Sequence, residues 1–289
     1  MTKTPIAAIV TILLIRATTV PAGVEVTDSG FVQEPAGGAS TVRVRYVDMT
    51  NGSVSFRLRL LGLAVGLDRP SKSNWYWNGF FNVLLDGKSM MVDDKTRPEP
   101  QVELSVRSGE DKGEAFFTWR SPKADFTMAL SLLNRDDKLA GCLIVREKEP
   151  IKLIQMRLLN YPSSYNRNAP EAKDALARRL TTTMRTIDAS AGKAEVVRLG
   201  EDEPWLLFMD QTYDAALRAD AEGPSALLRD PAEWSETRVT VGDYAIITEL
   251  TSSPGFREFH FLFWDFHRHP NAKALEYMRH LVVERKTSQ

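Results

Sequence analysis

The sequence predicts an all-β fold, a large antiparallel β-sandwich that carries one C-terminal helix. Three observations predict it. Alternation of apolar and polar residues with period two recurs in more than ten short segments. Turn-forming residues separate those segments at short spacing, as in sandwiches joined by hairpins. Only the end of the chain carries a sustained helical period.

Residues 1–22, MTKTPIAAIVTILLIRATTVPA, read as an export leader. Lys3 supplies the positive start, residues 6–15 a short apolar run, and Val20-Pro21-Ala22 small residues at a cleavage point. The run is too short to span a bilayer. Arg16 directly after it leaves an uncleaved anchor as the alternative. No later stretch is apolar enough for a membrane helix, so the expectation is a secreted or periplasmic protein with no membrane contact beyond the leader. Residues 23–289 contain no repeat and no Pro/Gly/Ser-rich linker, which favours a single β-sandwich domain with a large core. The formal net charge of −1, with bases interleaved among acids, argues against nucleic acid as a partner. A single cysteine, Cys142, excludes an internal disulfide, and within LAGCLIVR it reads as a small buried hydrophobe.

TVRVRYVDM and SVSFRLRLL flank Thr50-Asn51-Gly52, and Asn-Gly between alternating runs is a strong hairpin signal. Val54, Phe56, Leu58 and Leu60 share one face, with Ser55, Arg57 and Arg59 on the other. GFFNVLLDGKSMMV predicts a second hairpin at Asp86-Gly87. FTMALSLLNRDDKLAGCLIVRE predicts a third across residues 134–138. QVELSVRS, EAFFTWR, IKLIQMRLLN, AEVVRL, PWLLFMD, TRVTVG, YAIITELT and REFHFLFWD continue the strand series. Residues 170–179 suit two helical turns, and residues 230–234 one turn after an Asp cap. Pro270-Asn271 opens AKALEYMRHLVVERK, in which Leu275, Met278 and Val282 recur at three and four and Arg285 and Lys286 lie in the last turn. Such a helix covers an open edge or face of a sheet.

NWYWNGFFNVLLDG, MRLLNYPSSY, EPWLLFMDQTYD, GPSALL and FHFLFWDF, with the long meandering strands, carry a resemblance to uncharacterised secreted all-β bacterial proteins. More distantly, the chain resembles the galactose-mutarotase-like supersandwich. The first likeness spans most of residues 23–289 and implies no activity; the second implies architecture. The two upstream histidines that a mutarotase uses have no counterpart, because no histidine precedes His260.

Four stretches are candidates for chemistry. Asn74-Trp75-Tyr76-Trp77-Asn78 combines rings able to stack on the C–H faces of sugars with amides able to bond hydroxyls, so it is a candidate saccharide platform. One face of a strand there must still be core. In LNYPSSYNRN, Tyr161-Pro162 breaks a strand and Tyr165 falls in the polar loop that follows, where ligand sites sit. Asp210, Asp214, Glu249 and Asp265 are carboxylates from which an acid–base pair for glycoside chemistry can be drawn. Residues 259–270, FHFLFWDFHRHP, hold three of the four histidines. Alternation puts Phe259, Phe261 and Phe263 on one side with Asp265, His267 and His269, a possible metal set if the strand stayed extended, although Pro270 ends it. His260 lies on the other side as a core histidine or a base. Glu249 is its expected catalytic partner if the TSSPG turn pairs their strands.

No P-loop, Gly-x-Gly-x-x-Gly, Gly-x-Ser-x-Gly, Cys-x-x-Cys or His-Glu-x-x-His is present, and no cofactor is expected. Three functions remain open: a secreted protein that binds carbohydrate through Trp75 and its neighbours; a lyase, hydrolase or epimerase using Glu249 and His260 with Asp265 or His267; and an envelope scaffold whose rings are all core.

Overall fold

The computed structural model describes residues 23–37, 40–71, 74–75, 79–91, 102–162, 178–189, 193–211, 223–242, 245–267 and 269–287. The first four strands, β1 (Glu25–Gly37), β2 (Ser40–Thr50), β3 (Ser55–Leu61) and β4 (Ala64–Arg69), form an antiparallel meander. A hairpin of β5 (Phe81–Leu85) and β6 (Lys88–Ser89) follows. A second meander comprises β7 (Val102–Arg107), β8 (Lys112–Arg120), β9 (Ala124–Leu133) and β10 (Lys138–Glu147). The chain then alternates between two sheets through β11 (Ile154–Asn160), β12 (Arg178–Thr182), β13 (Thr186–Asp188), β14 (Glu195–Leu199), β15 (Trp205–Asp210) and β16 (Ser225–Arg229). A 3-10 turn (Pro231–Glu233), β17 (Trp234–Val241), β18 (Ile246–Ser252), β19 (Glu258–Asp265) and the helix α1 (Asn271–Thr287) complete it.

Nine strands join in the order β13-β12-β15-β16-β19-β10-β9-β8-β7, and six in the order β14-β17-β18-β11-β5-β6. Their inner faces meet in one apolar core that includes Phe117, Met128 and Phe261 from the first sheet and Val83, Met156 and Leu250 from the second. Val47, Phe56 and Leu58 of the β1–β4 meander join the same core. Phe80 links this meander to the six-stranded sheet. Its N–H donates to the Val65 carbonyl (3.0 Å), and its own carbonyl accepts from the Leu159 N–H (2.8 Å). The all-β sandwich expected from the alternation is the observed fold.

Local chemistry explains the turns. At Asp86-Gly87 both residues adopt positive φ, 49° and 77°, which closes a two-residue hairpin. At Asn51-Gly52 only Gly52 does so (φ 84°). Asn51 works through its side chain instead. Its Oδ1 accepts the N–H groups of Ser53 and Val54 (3.1 Å each), and its Nδ2 donates to the carbonyls of Leu133 and Asp136.

PWLLFMD is apolar without alternation because β15 is covered on both sides. Leu206 and Phe208 face the main core. Trp205, Leu207 and Met209 face α1, whose Ala274 and Met278 seal a second apolar cluster. Thus α1 covers an outer sheet face, one of the two placements expected of it. The turn after Asp230 is present as the 3-10 segment. Residues 163–177 lie outside the described residues, and Arg178-Arg179, read as the end of a short helix, begin β12.

The expected β18–β19 hairpin is not formed. The Ser253–Gly255 turn carries the chain from one sheet to the other, because Leu250 and Phe259 both have to reach the core between the sheets. No described helix is long and apolar enough to cross a membrane.

Candidate functional site

At one end of the sandwich the core gives way to polar groups. Asp265 closes the inner face of β19 and lies opposite Ser225 of β16 in the ladder. Its Oδ1 accepts from Ser71 Oγ (2.8 Å), Asn74 Nδ2 (3.3 Å) and the His267 N–H (3.0 Å). Asn74 Nδ2 also donates to the Gly223 carbonyl (2.8 Å). Across the sandwich, Asn160 Nδ2 donates to Ser225 Oγ (2.8 Å). Nearby in the same sheet, buried Asp210 pairs with buried Arg178, whose Nη1 lies 3.1 Å from Oδ2. A buried carboxylate survives only with such partners.

Beside this network opens a cleft of about 630 Å³. Trp264, Phe266 and Tyr277 lie along it, the first two buried and Tyr277 half-buried, and Arg69, Asp137 and His267 stand among its exposed polar residues. The rings are held rigidly. Trp264 Nε1 donates to Asp137 Oδ2 (3.1 Å), Trp264 packs 4.4 Å from Phe266, and the His269 ring meets Tyr277 edge-on at 6.0 Å. Asp265, His267 and His269 all line this cleft. They do not gather as a metal set. Among the described residues, the group of three or more possible ligands within 4.8 Å of one another is Cys142, Glu258 and His260. The strand ends at Asp265, so His267 and His269 lie beyond it and the extended alternation that would have aligned the three does not persist.

Trp75 is not a platform. It is 0% exposed and packs edge-on against Phe263 (5.1 Å), Phe208 (5.7 Å) and Phe80 (6.2 Å), so no ring face is left for a sugar. Asn74 is equally buried and serves Asp265. Tyr76, Trp77, Asn78, Tyr165 and Asp214 lie outside the described residues.

Glu249 and His260 do not meet. Glu249 projects from the outer face of β18, 38% exposed, between its ladder partners Arg157 (3.8 Å) and Arg238 (3.6 Å). This is a surface charge ladder on the six-stranded sheet. His260 stands on the outer face of the other sheet, 58% exposed, and its acid is Glu233 of the 3-10 turn. Glu233 Oε1 lies 2.6 Å from His260 Nδ1, and Oε2 accepts the His260 backbone N–H at 2.6 Å. Glu233 itself is buried, with 7% of its side chain exposed. Its hydrogen bond is the chief cause of a His260 pKa above the ordinary histidine value. The Asp230 cap was the only sequence signal near Glu233. Arg69, Ser71, Asp137 and Tyr277 carried none.

A larger cleft of about 720 Å³ lies between residues 181–186 and α1 and contains none of the candidate site residues of the sequence. Arg185 on its rim is bound by Glu203.

No family model matches the chain, and no curated protein matches it. Among solved structures it resembles the α-N-acetylgalactosaminidase of Bifidobacterium bifidum. The quadruple mutant gives a TM-score of 0.51 at 10% identity over 88% of this chain and 39% of that one. The GalNAc complex gives 0.50 at 9% identity, with the same coverage. A candidate aldose 1-epimerase from Klebsiella pneumoniae subsp. pneumoniae gives 0.48 at 10% identity over 85% of this chain and 92% of that one. The likeness is one of fold alone. The chain spans about two fifths of the length of the N-acetylgalactosaminidase structures.

Proposed function

We propose that the chain is an exported carbohydrate-binding β-sandwich whose ligand, a polysaccharide or surface glycan, seats in the cleft at the end of β19. The observation that carries the reading is the composition of that cleft, where half-buried Tyr277 stands beside the exposed Arg69, Asp137, His267 and His269, with the buried Trp264 and Phe266 packed behind them. Saccharide sites combine an apolar surface for C–H faces with a few fixed polar groups for hydroxyls. The buried Asp265 network stiffens this end of β19 and orders the turn that presents His267. Export rests on the leader-like residues 1–22.

Glycan-array screening followed by calorimetry tests the proposal. GalNAc-terminated saccharides belong in the set because a solved structure of similar fold is a GalNAc complex. The expected result is binding of at least one saccharide, weakened about tenfold by Arg69→Ala or His267→Ala. A protein that binds no glycan, or whose two variants bind as the parent does, overturns the proposal and favours an envelope scaffold.

A further inference from the structure

On the outer face of the nine-stranded sheet, Cys142 of β10 and His260 of β19 are ladder partners, and Glu258 lies two residues before His260 on the same face. Glu258 Oε1 lies 3.6 Å from Cys142 Sγ and 3.3 Å from His260 Nε2. A tetrahedral zinc ion has bonds of about 2.0–2.3 Å to nitrogen, oxygen and sulfur, so its ligand atoms stand roughly 3.3–3.6 Å apart. Two edges of that tetrahedron are therefore already formed.

A second observation points the same way. Buried Glu233 accepts from Nδ1 of His260, which leaves Nε2 as the ring atom directed at Glu258, and Cys142, Glu258 and His260 each have a ligand atom within 4.8 Å of the others. A carboxylate behind a histidine is the arrangement that orients the ring and strengthens it as a ligand in metal sites. Glu233 is fixed in turn, since the 3-10 segment is capped by Asp230 and the Glu233 carbonyl accepts the Ser253 N–H (2.8 Å).

We propose that Cys142, Glu258 and His260 form a three-ligand site for a thiophilic divalent cation of the zinc class, with Glu233 as its positioning residue. The fourth position faces solvent. On binding, the cation displaces the Nε2 proton of a protonated His260 and the thiol proton of Cys142, both of which pass to water, so that imidazole, carboxylate and thiolate are left as the ligands. Burial and the adjacent Glu258 push the Cys142 thiol up to about 12 in the metal-free protein. A bound cation reverses that penalty.

The test is titration of the reduced, full chain with zinc alone, in competition with a chromophoric chelator, and with cobalt as a spectroscopic substitute. The expected result is one equivalent of zinc bound. Cobalt is expected to give a thiolate charge-transfer band that disappears in Cys142→Ala. Affinity is expected to fall at least tenfold in Cys142→Ala and His260→Ala, and about 10–100-fold in Glu233→Gln. His267→Ala, on the cleft, keeps the parent affinity. Near-ultraviolet circular dichroism of each metal-free variant confirms folding, and Cys142→Ala decides the matter if Glu233→Gln does not fold. Absence of stoichiometric zinc, or equal affinity in Cys142→Ala, overturns the proposal. Loss of binding in His267→Ala instead does so too.

Discussion

At the scale of single residues, Cys142 and His260 are shaped by neighbours that no local pattern announces. Cys142 is half-buried beside Glu258, which opposes a second negative charge, and its thiol stays un-ionised at neutral pH. In metal-free protein, exchange with a small aromatic disulfide at pH 8 should run on the order of 50-fold slower than with free cysteine, since scarcity of thiolate outweighs its greater nucleophilicity. An ordinary cysteine rate would contradict this environment. His260 has the opposite tendency, because Glu233 favours its charged form. A histidine with a raised pKa contributes stability that is fully present below about pH 6.5 and is lost as pH rises through the raised value. His260→Ala should therefore lower Tm more at pH 6 than at pH 9. A difference in Tm that is the same at both values would show that the ionic contribution is absent.

At the scale of elements, the turn between β14 and β15 is organised around Glu203, which is buried. Burial by itself would raise its pKa, but bonds from Arg185, Thr182 Oγ1 and the Gly200 N–H hold it at about 2. A depressed carboxylate stabilises the fold above its unfolded value of about 4.3, and that contribution fades as pH falls toward 2. Denaturant melts should show Glu203→Gln less stable than the parent above pH 5, with the gap closing between pH 5 and pH 2. A gap independent of pH would refute this account. Elements of this kind were only partly legible. Asp86-Gly87 and the β9–β10 turn could be read directly, because turn chemistry is local. The β18–β19 connection could not. A short Gly-containing loop between alternating strands suits a hairpin and a crossing between sheets equally well, and only the facing of Leu250 and Phe259 across the core separates the two.

At the scale of the whole molecule, the aromatic residues divide between the core that joins the sheets and the cluster that seats α1 on the outer face. Trp75 joins rings from β15 and β19, so Trp75→Ala should cost about 3–5 kcal/mol in equilibrium unfolding while leaving strand content intact. A loss below about 1 kcal/mol would mean that the ring is not in the core. The alternation of FHFLFWDF by itself determined that Phe259, Phe261 and Phe263 share a buried face, and the period-two pattern determined the all-β class, because side chains alternate on any extended backbone. Tertiary structure alone decided that Trp75 is core, that Asp265 meets Ser71 and Asn74, and that His260 meets Glu233, Glu258 and Cys142 in place of Glu249. The physical reason is that alternation sets the direction in which a side chain points, whereas its neighbours depend on which distant strands pair and on which sheet each one joins.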